Sequence, residues 1–320
     1  MKSRNLGASF RQGGGGLSRR DFLSWQLKGA LFLACGGAFP PRPVLAEAYP
    51  DVAVVTGPPA GAVKAAVDLL GGMGRFVKPG NRVVIKPNFS FANPPEAATT
   101  TNPEVVRELL VLCKEAGAAS VLILDNPLNV AELCLEQSAV RSACDGVERG
   151  AVQALDDARF YRAADIPQGA SFKKTEVMAD VLDADVLISA PVAKSHSGAG
   201  VSLSMKNLMG LIWNRGVMHS RHDLHEAIVD LASLLHPALC VIDAIRTLST
   251  NGPGGPGKVI KMDTVIASPD MVAADAEAVT LCEWYGKHFE PRQVKHIALA
   301  HKRGLGRMDV ENLDVRRVSL

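Results

Sequence analysis

From Ser189 to Arg215 the chain reads SAPVAKSHSGAGVSLSMKNLMGLIWNR, and no other stretch sets so much polar chemistry among apolar residues. Just upstream, Asp185-Val-Leu-Ile-Ser-Ala-Pro191 predicts a short buried strand that ends at a proline, which cannot donate to a sheet ladder. Lys194-Ser-His196 follows at once. Gly198 and Gly200 then predict a loop, and Val201, Leu203, Met205, Leu208, Met209 and Ile212 predict a helix carrying Lys206 and Asn207 in its second turn. Polar residues past the carboxyl end of a buried strand, over the start of a helix, are where open α/β sheets hold their ligands.

Outward from this stretch, apolar runs and helical patterns alternate. Strands are expected at residues 52–55, 82–87 and 120–124, with helices at 61–70 and from Pro103 to about 116. Asn102 caps the second helix and Pro103 suits its first position. A loop rich in Pro, Thr and Asn covers 88–102, and 128–180 holds one or two helices and an edge hairpin. Downstream come helices at 224–235, 271–284 and 292–303, and strands at 239–243, 264–267 and 315–320. This rhythm predicts an α/β fold: a mainly parallel, doubly wound sheet with helices on both faces, in one domain or two lobes.

Residues 1–46 read as a targeting segment. Ser18-Arg-Arg-Asp-Phe-Leu23 is a twin-arginine pattern, an uncharged run from Gly29 to Pro41 follows, and Val44-Leu-Ala46 is a small-residue end. The apolar run is too short to span a bilayer. Export by the twin-arginine pathway to the periplasm is therefore expected, with cleavage after Ala46 or Ala48. No lipid anchor is expected at Cys35, because Phe32-Leu-Ala34 matches a lipid-attachment site poorly. Residues 47–320 are then a single α/β domain without a transmembrane helix.

Removing residues 1–46 takes away seven Lys/Arg and one Asp from totals of 35 and 33, leaving 28 basic against 32 acidic residues, a net −4. That balance argues against a nucleic-acid partner, which calls for a basic face. Five cysteines remain; Cys134 and Cys144 are the close pair if a disulfide forms, and burial as small hydrophobes is the alternative. None forms Cys-x-x-Cys, so the chain has no iron–sulfur motif of its own.

The strand ends share a pattern. Lys86-Pro-Asn88, Asp125-Asn126, Lys194-Ser-His196 and Asp243 each sit just past an apolar run, so a doubly wound sheet brings them towards one edge. The alternative is that strand ends simply turn polar where they meet water. If they converge, Lys86, Lys194 and Lys206 give a cleft a positive centre for a small anionic molecule, with Asn88, Asp125, Asn207 and Asn251 as further ligand-binding groups. Partly desolvated, Lys86, Lys194 and Lys206 become bases or Schiff-base nucleophiles, and His196 a general base.

For a divalent metal the candidates are Asp243, Asp275 and His222. His219, His222 and His225 recur at helical spacing, although a solvated helix start explains them equally. Asn251-Gly-Pro-Gly-Gly-Pro-Gly257 lacks the Gly-Lys-Ser/Thr of a phosphate loop and reads as a lid or connector.

Five motifs in order, Val83-Val-Ile-Lys-Pro-Asn88, Pro191-Val-Ala-Lys-Ser-His196, Ser202-Leu-Ser-Met-Lys-Asn-Leu-Met-Gly210, Asn251-Gly-Pro253 after Val241-Ile-Asp243, and Ser268-Pro-Asp-Met-Val-Ala-Ala-Asp275, closely resemble the domain-of-unknown-function family numbered 362. Members with an attached ferredoxin domain imply a ferredoxin-like or other redox partner, and an accessory role in a redox system as the alternative to catalysis. More distantly, His196 and Lys206, ten apart across a Gly-containing loop, resemble a segment of lactate racemase-type proteins. That resemblance implies an acid/base His196, a Lys206 holding a nickel pincer cofactor and a metal-binding His222. The chain departs from it at Pro87-Asn-Phe-Ser90 and Asp125-Asn-Pro127, where those enzymes carry Pro-Asp-x-Thr-Arg and a His-rich turn. A shared fold without racemisation is the expectation.

Overall fold

The computed structural model describes residues 49–320; the segment read from sequence as a targeting signal, with Arg19, Arg20 and Cys35, lies outside the described residues. In chain order the first elements are β1 (Val52–Thr56), α1 (Pro59–Leu69), β2 (Arg82–Pro87), α2 (Pro103–Glu115), β3 (Ser120–Asp125), α3 (Ala131–Gln137), α4 (Val140–Asp145) and β4 (Val152–Ala154). A hairpin of β5 (Tyr161–Asp165) and β6 (Lys174–Met178), then α5 (Ala179–Asp183), lead to β7 (Val186–Ala190), β8 (Val192–His196) and β9 (Gly200–Ser202). The chain closes with α6 (Ser204–Asn207), α7 (Gly216–Ser220), α8 (Leu224–Leu234), β10 (Leu239–Leu248), β11 (Val259–Ser268), α9 (Met271–Thr280), α10 (Lys295–Lys302) and β12 (Val315–Ser319).

The main sheet runs β12-β1-β11-β10-β7-β2-β3-β4, with β8 added to β10 and β9 to β8. At its centre Val83–Ile85 pair in parallel with Val121–Ile123 on one side and Val186–Ile188 on the other. Strands covered on both faces read as unbroken apolar runs, as these do. The two-residue period of a strand sends Val83 and Ile85 into a core with Val63 of α1 and Leu109 of α2. Val84 points the opposite way, into a core with Ile228 of α8 and Val272 of α9. Helices therefore cover both faces, and residues 49–320 cluster as one compact unit. Among the described residues no helix is long and apolar enough to cross a membrane.

The order differs from a simple β-α-β-α-β series in one respect. β1 lies between β11 and β12, away from β2, and β11 runs against the rest of that path. β10 and β11 are ten residues each, longer than predicted, and the segment joining them contains no helix, so they pair as an antiparallel hairpin. β10 therefore does not end at Asp243 as expected, because the two strands satisfy each other's backbone groups beyond that point.

The predicted helix after Gly200 is also revised. Gly200 adopts φ +79, β9 folds back on β8 with Lys194 opposite Ser202, and α6 has four residues followed by a 3₁₀ turn at Leu208–Leu211. Val201, Leu203 and Met205 alternate with a period of two, which suits a strand as well as a helix face. The helix expected to reach 284 stops at Thr280, where Trp284 Nε1 donates to Val279 O at 2.9 Å. The expected Asn102 cap forms, its side chain accepting from Glu104 N.

Three buried carboxylates fasten backbone. Asp243 accepts from Asn102 N at 2.7 Å and Ile245 N at 2.9 Å, holding the end of the 88–102 loop. Asp275 accepts from Ser204 N and Met205 N at 2.7 and 3.1 Å, fixing the start of α6. Asp230 accepts from Ala170, Ser171 and Phe172 N and pairs with Arg303 at 2.6 Å, tying the β5–β6 hairpin loop to α8.

Burial pushes Asp243 up to about 6 and Asp275 up to about 7. The folded protein thus binds these protons more tightly than the unfolded chain, and their contribution to stability falls as pH rises from about 4 to about 7. Urea midpoints of the wild type and the Asp243→Asn/Asp275→Asn variant, measured from pH 4 to pH 7, should differ in slope, with the wild type declining more. Parallel lines would contradict this assignment.

Candidate functional site

Where β2, β3 and β8 end, a cavity of about 450 Å³ opens between α6, the segment leading into α7, and the loop joining β10 to β11. Asn88 enters it from the end of β2, Lys194 and His196 from β8, Lys206 and Asn207 from α6, and Arg215 and His219 from around α7. Ser90 and Phe91 from the 88–102 loop and Pro253 from the hairpin loop complete its walls. That last loop had read as a lid or connector; it is tethered, with Gly252 N donating to Ser195 Oγ at 2.9 Å.

Beneath the cavity lies a fully buried ion pair. Lys86 Nζ stands 3.0 Å from Asp125 Oδ1, a contact outside hydrogen-bond geometry, and donates to Asn207 Oδ1 at 3.1 Å and to Pro87 O. Asp125 Oδ2 accepts from Phe89 N and Ser90 Oγ, both at 2.9 Å. Desolvation lowers Lys86, and Asp125 offsets part of that. Gly210 lies directly on the pair, where a Cβ would collide with the Asp125 carboxylate and the Lys86 amine. Asn126 N donates to Gly210 O at 3.0 Å and Asn126 Nδ2 to Ile212 O at 3.1 Å, stitching the end of β3 to the 3₁₀ turn. Trp213 N donates to Glu176 O, so the small hairpin props the same turn from outside.

The basic groups in the walls have different partners. Lys194 Nζ donates to Asn88 Oδ1 at 3.0 Å and Thr99 O at 2.7 Å and lies 4.7 Å from the Phe91 ring centre. Burial without a carboxylate partner holds it well below the ordinary lysine range. Arg215 donates to Asn126 O and Pro127 O at 2.5 and 2.9 Å. Lys206 Nζ reaches only the Met209 sulfur, at 3.6 Å, and burial, with the Arg215 charge, pushes it down to about 7.

His196, expected from sequence as a general base, is held by the backbone of its own turn. Its Nδ1 accepts from Gly198 N and Ala199 N, both at 3.1 Å, so the proton of the neutral ring sits on Nε2. Burial and the nearby cations push it down to about 3, leaving a fixed hydrogen-bond donor. His219 stacks on it with ring centres 5.7 Å apart.

The remaining predicted residues do not line the cavity. Asp243 and Asp275 hold backbone N–H groups, and Asn251, exposed at φ +55, donates to Pro256 O within its own loop. His222 bonds Ser171 Oγ and meets the edge of Phe172, while His225 stacks on His296. The three histidines thus diverge, because a turn separates α7 from α8 and breaks the helical spacing assumed for them. Among the described residues no group of three or more His, Cys, Asp or Glu is arranged to hold a metal. Cys134 and Cys144 are buried free thiols, like the other three described cysteines. Sequence reasoning missed Arg215, Ser90 and Phe91 and raised His219 only for a metal; Arg215 closes the stretch that began the reading, and its charge after Trp213-Asn214 was the available signal.

Residues 83–280 match the family described as Domain of unknown function (DUF362), which spans β2 to the end of α9 and holds every side chain of this site. The chain belongs to the DUF362 family. This DUF362 protein is 30% identical over 223 residues, 67% of each chain, to thylakoid-associated protein sll1697 of Synechocystis sp.. It also overlays the lactate racemase apoprotein of Thermoanaerobacterium thermosaccharolyticum at 16% identity and TM-score 0.45, covering 70% of this chain and 55% of that one. A Thermotoga maritima protein overlays at 11% and 0.43, covering 70% and 59%. The chain thus spans just over half the length of both solved structures. The nickel pincer implied by sequence resemblance does not fit as assigned, since Lys206 lines the cavity while His222 is bonded to Ser171 outside it.

Removing one partner of a buried pair leaves an unpaired charge, so Lys86→Met and Asp125→Leu should each lose about 3–5 kcal/mol in urea unfolding, and the double variant much less than the sum. Additive losses would show that the pair is not coupled. Gly210→Ala should lower the thermal midpoint by forcing the pair apart, and an unchanged midpoint would contradict the close approach.

Proposed function

We propose that this DUF362 protein is exported by the twin-arginine route and binds a small anionic molecule in the cavity above the Lys86–Asp125 pair. Lys206 carries the reading. Its amine lines the cavity without an oxygen acceptor, among Lys194 and Arg215, with no carboxylate on the cavity walls. Basic groups withdrawn from water are costly unless compensated, and a carboxylate or phosphate supplies that compensation. In this arrangement Lys206 pairs with the anion and His196 Nε2–H donates a hydrogen bond to it. Arg215 adds positive field, while its donors and those of Lys194 hold the loops in place. The export part is supported by the Arg19-Arg20 pattern and small-residue end before residue 47. The thylakoid association of the Synechocystis relative agrees with an exported or membrane-associated location.

Thermal-shift titration with phosphate, lactate and oxalate, alongside divalent metal chlorides, tests this. An anion at a hundredfold excess over its dissociation constant should raise the midpoint by about 5 °C. Lys206→Ala should remove the shift. Because the ammonium form pairs with the anion, affinity should weaken as pH rises through about 7. Equal shifts in wild type and Lys206→Ala, or none with any anion, would defeat the reading.

A further inference from the structure

Three lysines are buried among the described residues, and two of them have oxygen partners: Lys86 pairs with Asp125 and donates to Asn207 and Pro87, and Lys194 donates to Asn88 and Thr99. Lys206 has none, and the sulfur at 3.6 Å is a weak acceptor. An amine left this way inside a cavity is free to present its lone pair once it loses a proton. Nearby stands His196, whose Nδ1 is held by two N–H groups so that Nε2–H can donate.

We infer that Lys206 is a covalent nucleophile towards a small oxo-acid, forming an imine between Nζ and the carbonyl carbon, with His196 Nε2–H bonded to the carbonyl oxygen. The inference rests on the anion-binding reading and adds a substrate class to it. The nitrogen lone pair attacks the carbonyl carbon, a C–N bond forms, and the carbonyl π pair moves to oxygen. Both amine hydrogens then depart with that oxygen as water, leaving C=N. No electron is gained or lost, so no oxidant is required. The acid group answers the positive field of Arg215, and the carbonyl beside it reaches Lys206.

With Lys206 near 7, a useful fraction of the amine is neutral at physiological pH, whereas an ordinary lysine is almost wholly protonated there. Borohydride trapping tests the inference on the full chain. Incubation with pyruvate, glyoxylate or 2-oxoglutarate, reduction, and peptide mapping should place one adduct on Lys206, with lactate giving none. With the oxo-acid kept saturating at every pH, initial labelling should rise about tenfold between pH 6 and pH 8 and then level off, whereas a surface lysine would keep rising about tenfold per unit. Lys206→Arg should give no adduct, and mapping in the wild type locates the site whether or not that variant folds. Adducts spread over surface lysines, or none, overturn the imine. If phosphate and lactate still shift the midpoint in that case, the anion-binding reading survives alone; if they do not, both fall.

Discussion

The Lys86–Asp125 pair is the contact on which the rest of the site is stacked. Lys86 is the last-but-one residue of β2 and Asp125 the last of β3, so two adjacent parallel strands each end in a charge turned inward. Neither charge is tolerable alone at that depth. Together they fix the segments above them: Asp125 binds the backbone after β2, Lys86 binds Asn207 of α6, and Gly210 presses its backbone onto both. The cavity floor is therefore a consequence of strand register, set by Val83 opposite Val121 and Val186.

Above the floor the charges divide by sign. Carboxylates near the site are engaged with backbone N–H groups or with Lys86, whereas amine and imidazole groups line the open space. Asp275, reaching from α9, holds the first two residues of α6 in place, and Lys206 follows immediately. The position of Lys206 is thus governed by a carboxylate on another helix.

Much of this was legible from sequence. Apolar runs ending in Lys86-Pro-Asn88, Asp125-Asn126 and Lys194-Ser-His196 announced strand ends, and the parallel sheet brought them together because crossover helices return each strand in the same direction. What could not be read was partner choice. Asp243 and Asp275 have the composition of metal ligands, and only the fold reveals that backbone amides occupy their oxygens. His219, His222 and His225 keep helical spacing on paper, but the turn at Arg221–Asp223 sends them to three neighbourhoods. The tautomer of His196 is likewise set by two amides of its own turn, a geometry with no signature in residue spacing.

One wall of the cavity has a different structural status from the others. Pro253 belongs to the link between two antiparallel strands, whereas the floor belongs to parallel strands joined through packed helices. That link is tethered to β8 through Gly252 and Ser195 and takes no part in the pairing of β2, β3 and β7. The mouth of the cavity and its charged base thus rest on separate parts of the fold, one on a link between two strands and the other on the sheet itself.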